Sequence, residues 1–390
     1  MRLRSVRSRA EYERFVLHGV GFVSRRCTTG LLRHHALLLL VLCSSRMAAA
    51  QSWPDLPVRN GAVDIPAQEW PQRPGPRTVR VLVHYPAGDL ASVTPQTGIM
   101  LTLHNWGGTD CVGTANPNEL AKRLNVVALC VNYLQSGAKD SNEGPEPYDF
   151  GYLQGLDALR SLNWLTTKLK ASQREFSDAR CYCTGGSGGG NVTLMANKLA
   201  PRTFACVIDM CGMKKLSDEI AFNLPGNGGL NARWSSDPGS PSYLSPDEQE
   251  LRFVGHPEHL AEMQRLDARC RILVVHGVDD TVTYHHAVEM VENMRRAKLD
   301  VEPHFITRDR VDGTTFTTTG HALGNRTRIV LEVAGKYLEP GGKESLLRKG
   351  PTDFERREDL RYRTSTGEFV ISYKDGFPVG RFEKRDSPPH

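Results

Sequence analysis

Three residues of this 390-residue chain are of the types, and stand in the order, that make an alcohol into a nucleophile. Ser187 is the centre of Gly185-Gly186-Ser187-Gly188-Gly189, a G-x-S-x-G pattern. Asp280 follows in His276-Gly277-Val278-Asp279-Asp280-Thr281-Val282, and His321 in Thr319-Gly320-His321-Ala322. A serine hydroxyl attacks a carbonyl only when a base takes its proton, and the base needs a carboxylate to orient it and favour its charged form. Asp279, the neighbour of Asp280, is by residue type equally a candidate for that acid. The other histidines have structural readings: His276 in the turn, His285 and His286 at a helix start, His304 inside a strand. Two adjacent helical histidines point different ways, so His285 and His286 with Asp279 do not make a metal site. Neither a metal nor a cofactor is expected.

These residues need a scaffold that brings distant strand ends together. The segment over 179–183 reads as a buried strand, and 191–200, with Val192, Leu194, Met195 and Leu199, as a helix packed on a sheet. The glycines between them permit a tight turn in which no Cβ would fit. A flexible linker is the plain alternative; a phosphate loop is disfavoured, because no Lys follows the glycines. An edge strand is predicted around 62–65, and a half-exposed strand over 77–86 with Val79, Val81 and Val83 on one face. Further strands are predicted over 98–103, 126–133, 204–210, 271–275 and 301–306, and helices over 117–124, 150–165, 284–298 and 326–338. This alternation predicts an α/β fold with a mainly parallel, doubly wound sheet. Residues 214–266 break the rhythm with Pro and Gly and predict a cap-like insertion. After Pro340-Gly341-Gly342, residues 341–390 form a charged extension, in which 367–373 and 377–382, joined by Lys374-Asp375-Gly376, predict a small β-hairpin appendage. The aromatic residues Tyr148, Phe150 and Tyr152 read as anchors of a loop into the helix over 150–165, with an acyl pocket as the alternative.

In these residues the chain resembles the α/β-hydrolase superfamily, in its serine esterase and prolyl-oligopeptidase-like group, over roughly 79–338. The resemblance implies the α/β-hydrolase fold, with Ser187 as nucleophile, His321 as base and Asp280 as the triad acid. It also implies an oxyanion hole made of two backbone N–H groups. One is that of Gly188. The other is that of Trp106, because His104-Asn105-Trp106-Gly107-Gly108 resembles the H-G-x-G-G loop of the family. Asn105 stands where Gly is usual, and a positive φ there is feasible because Asn tolerates it better than most residues. The activity implied is hydrolysis of a carboxylic ester through an acyl-enzyme, the substrate being a small-molecule or oligomeric ester, a carbohydrate acyl ester among the candidates. That preference over a peptidase acting on short peptides rests on the lack of a propeller-sized N-terminal domain. A non-catalytic scaffold that binds a ligand or partner is the reading from another class.

The leader predicts where this chemistry happens. Arg33-His34-His35, an eight-residue apolar run over 36–43 and a small-residue site ending at Ala50 read as a signal peptide occupying 1–50, with a start downstream of Met1 as the alternative to an over-extended one. The run is too short to span a bilayer, so no stable membrane anchor is expected, and the mature chain is expected outside the cell or in the periplasm. The leader also holds nine of the basic residues and two acids, so the formal charge of +5 falls to −2 without it. The body has no nucleic-acid footprint. Seven cysteines remain: Cys130, Cys181, Cys183, Cys206 and Cys270 read as buried thiols, while one or two disulfides of unassigned connectivity fit an exported protein. Nothing in the sequence sets an oligomeric state.

Overall fold

Eight strands make the central sheet: β1 (Gly61–Pro66), β2 (Thr78–His84), β3 (Gly98–Leu103), β4 (Val126–Asn132), β5 (Cys181–Gly186), β6 (Cys206–Met210), β7 (Arg271–Gly277) and β8 (Val301–Ile306). They lie side by side in the order β1-β2-β4-β3-β5-β6-β7-β8. The pairs β1/β2 and β2/β4 are antiparallel, and every pair from β4 onward is parallel. This computed structural model describes residues 53–282 and 284–385. The segment over 1–50, expected to be a signal peptide, lies outside the described residues. No helix among the described residues is long and apolar enough to cross a membrane.

The continuous apolar runs are explained by cover on both faces. In β4, Val127, Leu129 and Val131 join one core with helices Tyr152–Ala171, Gly188–Leu199 and Tyr284–Arg296. Val126 and Ala128 join the other, with helix Pro117–Leu124 and the helical stretch 326–338. A strand whose alternate side chains are both buried has no polar face to show. By contrast β2, near the antiparallel edge, buries Val79, Val81 and Val83 and exposes Thr78 and Arg80. The helix predicted over 150–165 runs longer, to Ala171, because its far end is covered too: Leu165 and Leu169 are fully buried.

The insertion over 214–266 carries three short helices, Asp218–Ala221, Pro246–Leu251 and Pro257–Arg265. It has a small core of its own, in which Ile220, Ala232, Trp234 and Leu244 pack with Tyr148 and Phe150. Lys198 ties it to the serine helix. Its fully buried ammonium donates to Leu251 O at 2.7 Å and Phe253 O at 3.0 Å, carbonyls at and just past the C-terminal end of helix Pro246–Leu251. Burial pushes the Lys198 ammonium well below the usual lysine range.

Two expectations are corrected. The C-terminal extension is a three-stranded antiparallel sheet rather than a hairpin, with β9 (Asp359–Arg363) added to the predicted pair β10 (Gly367–Ser372) and β11 (Val379–Lys384). The alternation Leu360, Tyr362 against Asp359, Arg361, Arg363 is short and heavily charged, which hid it. Leu360, Tyr362, Phe369, Ile371 and Tyr373 pack into the main core, and the Tyr362 and Tyr373 hydroxyls donate to Lys198 O and Leu199 O. The last turn of the serine helix is thus capped from the extension.

The second correction concerns Cys130, which is not a free thiol. It forms a disulfide with Cys111, their Cα atoms 5.8 Å apart, while Cys181, Cys183, Cys206 and Cys270 are buried thiols. The bond pins the loop that follows β3 to the middle of β4. Replacing both cysteines by Ala is expected to lower the free energy of urea unfolding by about 3 kcal/mol, the loop-closure value for a separation of this size. The same loss on adding reductant to the native chain checks it.

Candidate active site

Ser187 stands between the end of β5 and helix Gly188–Leu199, at φ 53 and ψ −119, a backbone region that residues with a Cβ avoid. The glycines around it are required by contact rather than by flexibility. A Cβ on Gly185 would overlap the Gly189 backbone, and one on Gly189 would overlap Leu103 O. β5, the turn and the first helical turn therefore stack backbone on backbone. The turn holds Ser187 half-buried above the carboxyl ends of the parallel strands.

His321 reaches it from the loop before the stretch 326–338. His321 Nε2 lies 2.8 Å from Ser187 Oγ, and Nδ1 lies 2.9 Å from Asp280 Oδ2. Asp280 is buried, and its other oxygen accepts Val282 N–H at 2.8 Å, which fixes the carboxylate plane. Burial raises the Asp280 carboxyl, but the contacts from His276 and His321 outweigh this and hold it well below the usual carboxylate range. Asp279 points elsewhere: its Oδ2 accepts the Thr319 hydroxyl at 2.6 Å and its N–H donates to Thr319 O at 3.0 Å, so it ties down the His321 loop. Gly277 makes that approach possible, since a Cβ there would overlap Thr319 O and Gly320 O. On the far side Leu323, fully buried at φ 58, anchors the loop in the core.

The Gly188 and Trp106 amides adjoin: a Cβ on Gly188 would overlap Trp106 N. Gly188 opens its helix, so its N–H has no intrahelical acceptor and points with the positive end of the helix dipole toward the serine. The Trp106 ring stacks on the buried Tyr148, centroids 3.9 Å apart and planes 6° from parallel. Tyr148, Phe150 and Tyr152 are buried, and so serve the anchoring role. The positive φ expected at Asn105 is found instead at Gly107, at φ 80. Asn105 has a different task. Its side-chain carbonyl accepts from Arg326, and its amide donates to Gly113 O at 2.9 Å. Arg326, which also donates to Gly113 O at 2.7 Å and packs over Gly186, links the Trp106 loop to the turn.

All five residues named from the sequence come together at one strand edge. Sequence reading missed Arg326 and undervalued His276. The latter is not in a turn but is the buried penultimate residue of β7, with Nε2 3.0 Å from Asp280 Oδ2. The i, i+4 spacing of His276 and Asp280 around a strand end was the available signal. His304 pairs with Glu302 at 2.9 Å on β8, away from the serine. A cavity of about 530 Å³ is lined by Trp53, Leu162, Trp164, Phe354 and Phe377 and reaches Ile99 and Cys181 at the amino ends of β3 and β5. That is the face opposite to the one where α/β sheets bind ligands, and the chemistry at Ser187 does not involve it.

Residues 165–336 match the prolyl oligopeptidase family. No curated protein sequence matches. Among solved structures, the Mycobacterium tuberculosis puromycin-hydrolyzing peptidase is 15% identical over 72% of this chain and 39% of its own, with a TM-score of 0.46. The Pyrococcus horikoshii acylaminoacyl peptidase is 11% identical over 75% and 42%, at 0.47. A fungal esterase from Rhizomucor miehei is 13% identical over 74% and 85%, also at 0.47. This chain therefore spans about two fifths of the length of the two peptidases. The family match covers the serine, acid and histidine motifs, and the chain has the α/β-hydrolase fold and is similar to serine hydrolases over that stretch.

Proposed function

We propose that the chain is an exported esterase in which Ser187 attacks the carbonyl of a carboxylic ester. The Ser187 proton passes to His321 Nε2, which delivers it to the departing alkoxide oxygen. Water then gives its proton to His321 and its oxygen to the acyl carbon, and the Ser187 hydroxyl is restored. Asp280 keeps the hydrogen of His321 on Nδ1 and offsets the imidazolium charge, while Trp106 and Gly188 N–H groups hold the oxyanion. The observation that carries this reading is the unbroken row of contacts from Ser187 Oγ through His321 to Asp280 Oδ2.

An ester is the favoured substrate on chemical grounds. An alkoxide leaves with little positioning, whereas an amide nitrogen must be protonated in place and its peptide held along an extended groove. The His321 side chain is 33% exposed, which leaves the serine open to bulky esters. Export is supported by the leader motif and by the Cys111–Cys130 bond, which fits an oxidising compartment. A short-peptide peptidase is the second reading, favoured by the family match over 165–336. Fluorophosphonate labelling of the purified chain, followed by panels of simple acyl esters, acylated sugars and short peptides, separates the two. Labelling with ester turnover supports the esterase. Peptide cleavage without ester turnover replaces it with the peptidase, and a folded chain that takes no label defeats both.

The oxyanion assignment has its own check. Trp106→Pro removes the N–H and is expected to lower kcat by about 10² to 10³-fold, while Trp106→Ala, which keeps it, should retain most of the activity. Comparable losses in both would point to the ring, not the amide.

A further inference from the structure

Behind the triad lies a buried row that the ester chemistry above does not use. Asp209, Lys214 and His276 are all fully buried. Lys214 Nζ donates to Asp209 Oδ2 at 2.6 Å and to Gly212 O, and lies 3.5 Å from His276 Nδ1. An ammonium has only hydrogens to offer, so the His276 nitrogen facing it is the bare one. The ring hydrogen then belongs on Nε2, the atom 3.0 Å from Asp280 Oδ2. The N–H axis passes to one side of the oxygen, so this is a dipole laid against a carboxylate and not a straight hydrogen bond. It falls on the same Oδ2 that accepts from His321 Nδ1.

We propose that His276, with its tautomer fixed by the Lys214–Asp209 pair, is a positioning residue that shares Asp280 Oδ2 with His321 and so limits how strongly the carboxylate holds His321 in its charged form. This rests on the reading of Ser187, His321 and Asp280 as a triad. The physical consequence is a balance. A bare carboxylate beside His321 would keep the imidazole protonated and unable to act as base; a carboxylate already facing a second N–H has less field to give. Burial, then the neighbouring Lys214, push the His276 imidazole below its ordinary range, so it stays neutral and serves as a fixed dipole.

The other titratable groups facing this pair are Cys211 at the end of β6, Asp279 and Tyr284 beyond β7, and Arg326 from the stretch 326–338. Burial pushes the Cys211 thiol up, so it remains uncharged. The thiol, His276 and Asp280 present ligand atoms within 4.8 Å of one another, but the Lys214 ammonium beside His276 opposes any cation there.

The test is the pH dependence of the fluorophosphonate labelling rate for the full purified chain, the wild type beside His276→Met and His276→Gln. Met keeps the volume and removes the N–H; Gln returns an amide N–H near the Nε2 position. The acid limb is expected to move to higher pH by about half to one unit in His276→Met and to return toward the wild type in His276→Gln. A purely structural role would lower the rate at all pH values and leave the limb in place, which overturns the proposal. Should His276→Met fail to fold, imidazole nitrogen NMR of the histidine-labelled wild type, assigned with His276→Gln, decides: a neutral ring with hydrogen on Nε2 is expected, and hydrogen on Nδ1 or a charged ring overturns it. A folded wild type that takes no label at any pH defeats the triad itself, and the two failures are thereby distinct.

Discussion

Ser187→Ala is expected to abolish fluorophosphonate labelling and to lower ester hydrolysis by about five to six orders of magnitude, and His321→Ala by a similar factor. The equality follows from the geometry. With Ser187 Oγ 2.8 Å from His321 Nε2, proton transfer and attack are one event, so losing either partner removes the whole step. Both variants should fold, because Ser187 sits at φ 53 and the shorter Ala side chain tolerates that position no worse than Ser does. Some hydrolysis above the rate in water should survive from the oxyanion N–H groups alone. The measurement is single-turnover hydrolysis of an activated ester, with circular dichroism to verify folding. A residual rate within a hundredfold of the wild type in Ser187→Ala would remove the serine from the mechanism.

Asp280→Asn is the second large effect, a fall of about 10⁴-fold in kcat, with Asp279→Asn within about tenfold of the wild type. An amide in place of the carboxylate can present its own N–H to His321 Nδ1, which turns the imidazole to the tautomer that cannot accept from Ser187. Asp279 carries no such role, since its oxygen receives the Thr319 hydroxyl. Steady-state kinetics of the two variants side by side reads the contrast, and a reversal would exchange the two acids. Acid stability follows the same residue. The folded Asp280 carboxyl lies below its unfolded value near 3.9, so its contribution is full above that value and is lost as pH falls through the lower folded one. Asp280 therefore stays ionised throughout the neutral range. The acid limb of kcat/KM should therefore not report loss of the Asp280 carboxylate.

Much of this architecture could be read from residue order. The runs at Gly98–Leu103 and Val126–Asn132 are strands in the structure at or near the predicted limits, because side chains buried on both faces leave an unbroken apolar signature. The turn at Ser187 was legible for a similar reason: only glycines can stand where backbone lies on backbone, at Gly185 against Gly189 and at Gly189 against Leu103. Chemistry of this kind leaves a mark in sequence because no other residue type fits.

Other features belonged to the tertiary structure. Choosing between Asp279 and Asp280 depends on which of two neighbours meets His321 and which meets Thr319 two residues before it, and adjacent residues in a turn offer no periodicity to decide it. The Cys111–Cys130 bond depends on a loop folding back beside β4, the third small strand on cover from the serine helix, and the Arg326 link on a side chain crossing from one strand end to another. In each case the partners are distant in the chain and their residue types are common. Sequence by itself determined the kind of reaction and the residues able to perform it, since those are set by local sterics and by chemistry that few side chains possess. The fold alone decided what stands behind the acid and how the oxyanion loop is held, since these are set by approach in space.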